Sequence, residues 1–421
     1  MPATAWPTEP GTGRGRSHGT SSAEPFDRWF RYPAGFASDY VRLLVDHLGL
    51  REGVLLDCFM GSGVTGTAAL SRGLTFGGIE AHPLIAELAT LKLLTPIDAG
   101  KLKSAAKTIA AAPRAPCAAA GETSLVKRSF PGDVLGDLVA MREAIKGLDD
   151  TDTACALKWA LLGTLRDVAD VKVGWPYQRP GVARRPRYKD ARQRFIARAD
   201  IIAEDVRPEH PEVASPVIVV GDASTAHAWQ PIPRAHGCIT SPPYLNNFDY
   251  ADATRLELYF WGDVSTWREM CEWVRSDMVI ATTQQSSKQS KEDALARLTD
   301  DHGQVGAQIS GLARQLLRMR VERGGRTKEY DQVVPPYFVA MADVLTHLHA
   351  KLEPGARAVW LVGDSAPYGV HIDTPDLIGK LATSLGFEFE QDILLRRRGR
   401  RWNRTLTREL SERMIVLHKP G

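Results

Sequence analysis

One stretch limits the fold more than any other: an apolar run that breaks on glycines and reopens as a helix. Val54-Leu55-Leu56-Asp57 reads as a short buried strand, Cys58-Phe59-Met60-Gly61-Ser62-Gly63 as the turn that leaves it, and Val64 to Ser71 as a helix. Gly61 and Gly63 let the backbone approach a ligand closely, and the first turn of the helix offers N–H groups with no intrahelical partner. A second strand, Thr75 to Ile79, ends in the acid Glu80, a placement suited to the two hydroxyls of a ribose.

The same alternation continues along the chain. Asp39 to Leu48 carries a helical stripe of Tyr40, Leu43, Leu44, Val45 and Leu48, and His82 to Leu94 reads as another helix. Val217 to Val220 forms a strand running into Gly221-Asp222-Ala223, and Gly237 to Thr240 forms the next. Thr254 to Trp261 and Tyr337 to Leu352 read as helices, with Gly355 ending the second. Ala356 to Val362 is a strand reaching Gly363-Asp364-Ser365, Thr374 to Leu385 a helix, and Glu388 to Leu395 and Met414 to His418 two closing strands. Seven strands with helices between most of them argue a doubly wound α/β domain. Its parts are residues 25–96, 216–264 and 334–421. Residues 1–24, rich in Pro, Gly, Ser and Thr, read as a disordered leader, while 97–215 and 265–333 read as helical insertions, the first basic and a candidate target-recognition region.

The strand Gly237 to Thr240 ends in Ser241-Pro242-Pro243-Tyr244. Two successive prolines donate no backbone hydrogen bond and restrict the residue before them, so the strand must stop and present its carbonyls outward. A planar amine can give one hydrogen to the Ser241 hydroxyl and the other to the Pro242 carbonyl, which draws its nitrogen toward sp3 geometry and exposes the lone pair. Tyr244 is then placed to stack on the ring that carries the amine. The plainer reading of these four letters is a strand end followed by a turn.

In this order, DCFMGSG, GIE and TSPPY resemble the S-adenosylmethionine-dependent amino-methyltransferases of DNA, which modify adenine N6 or cytosine N4. The resemblance implies a Rossmann-like class I methyltransferase fold, with a seven-stranded, mostly parallel sheet and a terminal antiparallel hairpin. It implies S-adenosyl-L-methionine as cofactor, held by Tyr32, Pro33 and Phe36 of the upstream FRYPAGF segment, by Asp57, Phe59, Gly61, Ser62, Gly63, Thr65 and Glu80, and by Asp222 beside the cofactor adenine. It makes Ser241, Pro242, Pro243 and Tyr244 the catalytic tetrad, acting on a base rotated out of the duplex by direct transfer. Serine at the head of the tetrad leans toward cytosine N4. Cys58 stands where the family usually has proline, so this turn departs in detail.

Other readings compete. Gly61-Ser62-Gly63-Val64-Thr65-Gly66 is a G-x-G-x-x-G, the mark of a nicotinamide or flavin enzyme, but that reading leaves the tetrad, the Tyr-Pro segment and Asp57 without a role. A carbon-5 cytosine enzyme needs a nucleophilic cysteine, and Pro116-Cys117 is the one Pro-Cys pair, in an Ala-rich stretch without the neighbours such a cysteine requires. An RNA base methyltransferase and a catalytically silent DNA-binding protein stay open.

A net charge of +3 over 421 residues does not argue nucleic-acid binding, so the distribution of charge has to. Arg179, Arg184, Arg185, Arg187, Lys189, Arg192, Arg194 and Arg198 face one acid, Asp190, with Trp175, Tyr177 and Tyr188 nearby, a pattern suited to phosphates or guanine edges. A solvated helix face is the plainer account. A second cluster, with Arg396, Arg398 and Arg401, lies in the connection between the last two strands. Five cysteines without C-x-x-C spacing point to a reducing compartment and to no metal. Without a signal peptide or a membrane-spanning run, the expected setting is the cytoplasm and nucleoid of a prokaryote. Double-stranded DNA is the implied partner, with a restriction or defence nuclease encoded elsewhere.

Overall fold

Strands buried on both faces need cover on both, and the alternation along each strand shows what covers it. The computed structural model describes residues 5–8, 24–32, 36–114, 119–174, 178–206, 214–245, 248–283, 290–324, 328–398 and 409–421. Its strands are β1 (Val54–Asp57), β2 (Thr75–Glu80), β3 (Val171–Lys172), β4 (Arg179–Ala183), β5 (Val217–Val220), β6 (Ala235–Thr240), β7 (Leu352–Gly363), β8 (Glu388–Arg397) and β9 (Ser411–His418). Seven of them form one sheet in the order β5-β2-β1-β6-β7-β9-β8. The neighbours from β5 to β7 are parallel, whereas β9 runs antiparallel to both β7 and β8. This is the doubly wound α/β sheet with a terminal antiparallel hairpin read from the sequence. A dinucleotide-binding sheet of order 3-2-1-4-5-6 has no such inverted inner strand, so the oxidoreductase reading falls.

The helices used below are α1 (Ser38–Leu48), α2 (Val64–Leu70), α3 (Pro83–Leu93), α4 (Ala99–Ala110), α5 (Gly132–Lys146), α6 (Thr151–Val168), α7 (Ala191–Asp205), α8 (Arg255–Trp261), α9 (Lys291–Glu322), α10 (Tyr330–Lys351) and α11 (Thr374–Ser384). Leu55, Ile239, Val359 and Met414 point to one face of the sheet, where α1 and α2 bury Val41, Leu44 and Ala68 against them. Leu56, Cys238, Trp360 and Ile415, one residue along each strand, point to the other face and meet Phe338, Met341 and Leu345 of α10. The sheet therefore has one apolar layer on each side.

Three elements differ from the sequence reading. Helix α10 begins at Tyr330 rather than Tyr337 and contains Pro335 and Pro336. Each proline forfeits a backbone hydrogen bond, but burial of Val333, Val334, Tyr337 and Phe338 around them offsets that cost. Residues 97–215 are not purely helical, because β3 and β4 pair antiparallel as a small separate ribbon. Helix α9 breaks at Gly303, whose φ of 47° and ψ of −110° are open to glycine.

Helices α4 to α7 share a core with α3 and with the segment before α1: Trp159 meets Phe30 edge-on at 5.1 Å, among Leu88, Leu161 and Phe195. Buried Asp205 accepts hydrogen bonds from the Phe26 amide (2.9 Å), the Trp29 indole (2.9 Å) and Arg28 (2.6 Å). The first insertion thus fixes the chain leading to Tyr32.

Candidate active site

Parallel strands deliver their C-terminal ends to one edge of the sheet, and the reversal of strand order beside β1 opens a crevice there. The cleft at this edge encloses about 1190 Å³ of empty space, including the solvent at its mouth. Tyr32, Phe36, Asp57, Phe59, Gly61, Ser62, Glu80 and Asp222 line it together with Ser241, Pro242, Pro243 and Tyr244. Residues separated by up to 212 positions in the sequence, from Tyr32 to Tyr244, therefore line one cleft.

The glycine turn is built around two acids. Asp57 is buried and accepts from the Thr65 hydroxyl (2.6 Å), the Thr240 hydroxyl (2.6 Å) and the Phe59 amide (3.0 Å). It joins β1, α2 and the strand that ends in the tetrad. Burial pushes its carboxyl up to about 6, against those three hydrogen bonds. Glu80 accepts from the Gly61 amide (2.8 Å) on one oxygen and the His82 amide (2.8 Å) on the other, and burial raises it to about 7. Each Glu80 oxygen keeps a lone pair for a hydroxyl donor.

Gly61 and Gly63 have φ of 54° and 81°. A side chain at Gly63 would meet the Ala89 Cβ at 3.1 Å, so this glycine lets α2 approach α3. The Ser62 carbonyl takes the Lys92 ammonium at 2.9 Å, whose pKa burial lowers to about 8. The Ser62 hydroxyl is buried with no hydrogen-bond partner among the described residues. An unpaired hydroxyl beside Glu80 fits a polar ligand in the turn. Thr65 and Gly63 brace the turn from behind rather than lining the cleft, and Pro33 lies outside the described residues. Asp222 also lines the cleft, accepting from the Ser224 amide (2.9 Å) and hydroxyl (2.7 Å).

The tetrad leaves β6 with its polar atoms directed. The Ser241 hydroxyl donates to the Leu361 carbonyl at 3.0 Å, which leaves its lone pairs to accept. The Pro243 carbonyl accepts from the Tyr337 hydroxyl at 3.0 Å. The Tyr244 amide donates to the Tyr250 hydroxyl (3.2 Å) and its own hydroxyl donates to Glu412 (2.7 Å). Burial, with the Glu412 charge adding to it, holds the Tyr244 phenol far above its usual pKa, so it stays neutral. Cys58 lies along the cleft, its buried thiol 3.6 Å from the Thr240 hydroxyl.

Glu412, Tyr250 and Tyr337 escaped the sequence reading. Nothing local marks Glu412 and Tyr337, whose partners lie 168 and 94 residues away, whereas Tyr250 lies only 6 residues from Tyr244 without any pattern that singles it out. Asp277, Met278 and Val279 also line the cleft, so the segment 265–333 reaches the site as well.

The arginine cluster divides. The Arg184 guanidinium donates to the carbonyls of Ala169 and Arg166, and Arg192 to Asp137 and the Ala110 carbonyl, so both are internal ties rather than phosphate ligands. Arg194 and Arg198 bind Asp167 in the same way. Arg179, Arg185, Arg187 and Lys189 are exposed on the β3–β4 ribbon and the turn after it. Gln178 ties that ribbon to the Asp252 carbonyl at 3.3 Å, near the loop that follows the tetrad. Arg396 and Arg398 line the cleft itself. Arg401, Trp175, Tyr177 and Cys117 lie outside the described residues. Among the described residues no His, Cys, Asp and Glu cluster is arranged to hold a metal, and no helix is long and apolar enough to cross a membrane.

The family model described as DNA methylase matches residues 4–91. Type II methyltransferase M.BsoBI of Geobacillus stearothermophilus is 24% identical over 421 aligned positions, covering 88% of this chain and 80% of that protein. Type II methyltransferase M.AvaI of Anabaena variabilis is 28% identical over 161 positions, 37% of this chain and 32% of its own length. Among solved structures, TrmN from Thermus thermophilus aligns at 12% identity with a TM-score of 0.31, over 91% of this chain and 48% of that one.

Proposed function

We propose that this chain, an S-adenosylmethionine-dependent methyltransferase resembling the amino-methyltransferases of DNA, methylates the exocyclic amine of a cytosine or adenine within a short duplex sequence. The observation that carries this reading is the shared cleft, which the glycine turn with Glu80 and the Ser241–Tyr244 tetrad line together. Glu80 takes the ribose hydroxyls, the Ser62 hydroxyl and the backbone of the glycine turn hold the polar end of the cofactor, Tyr32 and Phe36 cover it, and Asp222 meets its adenine. When bound, S-adenosyl-L-methionine supplies a methyl group already activated on a sulfonium, so that the nitrogen–carbon bond forms as the sulfur–carbon bond breaks and the amine proton leaves to solvent. The chain's own task is alignment.

The Ser241 hydroxyl, its hydrogen engaged by Leu361, accepts one amine hydrogen, and the Pro242 carbonyl accepts the other. Tyr244 stacks on the base, its ring held by Glu412. An amine inside a duplex is paired and stacked, so the nucleotide is rotated into the cleft at a cost of roughly a few kcal/mol. The exposed Arg179, Arg185, Arg187 and Lys189 meet the DNA backbone, with residues 97–215 supplying target recognition. Serine at the head of the tetrad leans the choice of base toward cytosine.

The test is incubation of the purified protein with labelled S-adenosylmethionine and unmethylated duplex DNA, followed by nucleoside mass spectrometry. Label in N4-methylcytosine or N6-methyladenine is the expected result. Label in RNA alone, or none in DNA while the cofactor binds, would overturn the reading.

A further inference from the structure

Along the cleft an arginine is seated against the tetrad. The Arg398 guanidinium lies by the Tyr244 ring, its Cζ 5.5 Å from the ring centroid. One of its nitrogens, Nη1, donates to the Asp364 carbonyl at 3.0 Å, and its backbone amide donates to the Leu410 carbonyl at 2.7 Å. Asp364 is fixed in turn, accepting from the Ser411 amide (2.7 Å), the Ser411 hydroxyl (3.0 Å) and His371 (3.0 Å). Room for the arginine comes from Gly363. A Cβ there would lie 2.7 Å from Arg398 Nη1 and 2.8 Å from two ring carbons of Tyr244.

The neighbouring Arg396 is committed differently, since it pairs with Glu412, the same carboxylate that holds the Tyr244 hydroxyl. Arg398 makes no ion pair among the described residues and offers its remaining N–H groups to the cleft that it lines.

We infer that Arg398 is a specificity-determining residue that selects cytosine by donating to the acceptor edge of the base. The inference rests on the proposed amino-methylation and sharpens it. With the amine at Ser241 and Pro242, the atoms next along the same edge are what an adjacent guanidinium meets. Cytosine presents two acceptors in succession, N3 and O2, which match a guanidinium bidentately. Adenine presents N1 and then a C2–H, leaving one donor unpaired, and guanine places an N1–H donor next to its amine. A site built to pair both acceptors rejects a base that lacks one, because a desolvated donor is left unmet. Lysine is a point charge and does not reproduce the fork.

The experiment compares the wild type with Arg398→Gln and Arg398→Lys on unmethylated duplex DNA, with cofactor binding by titration as the check of folding. The wild type is expected to make N4-methylcytosine. Both variants are expected to bind S-adenosylmethionine as the wild type does, and to lose between about five- and a hundredfold in kcat/KM for cytosine, the range of one bidentate base contact. N6-methyladenine as the wild-type product would overturn the inference while leaving amino-methylation of DNA intact. Full activity of Arg398→Lys would reduce the arginine to a charge and overturn it also. If a variant fails to bind cofactor, the wild-type product still decides between the bases. Absence of any methyl label in DNA would instead remove the reading on which the inference rests.

Discussion

At the residue scale, the proposed place of Glu80 against the cofactor ribose makes binding depend on pH. Its carboxyl is raised from 4.5 to about 7 by burial, so it gains a proton as pH falls through neutrality. Ribose hydroxyls donate to the ionised form. Cofactor affinity should therefore be full above pH 8 and decline below 7, by up to about tenfold per pH unit, a profile that isothermal titration across pH 5.5–8.5 checks. Glu80→Gln should bind weakly at every pH with a flat profile. In the free protein the same burial acts on stability in the opposite sense: its contribution is fully present below about pH 4.5 and is lost as pH rises toward 7. Tyr244 separates the two halves of the site. Tyr244→Ala should lower methyl transfer by roughly a hundredfold or more while cofactor binding persists, and equal loss of both would refute its placement against the base. Tyr244→Phe keeps the ring, loses the Glu412 hydrogen bond and should fall between the two.

At the scale of elements, the β3–β4 ribbon carries Arg179 and leads into Arg185, Arg187 and Lys189. Replacing these four exposed cations with glutamine should weaken DNA binding almost uniformly across sequences. It should also lower the slope of log affinity against log salt, by about 0.9 for each phosphate contact removed. Unchanged affinity and slope would send target recognition to the segment 265–333. The sequence distinguished strands and helices well where period and punctuation were strong, as in Val54–Asp57 breaking at Gly61. It read less where a decision depended on distant partners. Arg184 and Arg192 look like free cations in a basic run, yet the carbonyls and the Asp137 carboxylate that absorb them lie up to 82 residues away. Pro335 and Pro336 look like a helix boundary, and only packing on both sides shows that the helix runs through them. Glu412 carries no local mark, because its meaning comes from Tyr244, in the chain that leaves β6.

At the scale of the whole molecule, the sheet assembles three separated parts of the chain, and Asp57 is satisfied only when Thr240 arrives 183 residues later. The two insertions are not appendages, since one secures the segment before Tyr32 through Asp205 and the other lines the cleft with Asp277 to Val279. The strand that comes last in the order of elements, β9, is an inner one, flanked by β7 and β8. A chain ending before Ser411 would keep the glycine turn and the tetrad but leave β8 without its neighbour, and it should show neither a cooperative thermal transition nor methyl transfer. The same strand carries Glu412, the carboxylate that accepts from the Tyr244 hydroxyl. Removing β9 would therefore strip the sheet of an inner member and Tyr244 of its acceptor in one stroke, so the closing of the sheet and the setting of the tetrad ring stand or fall together.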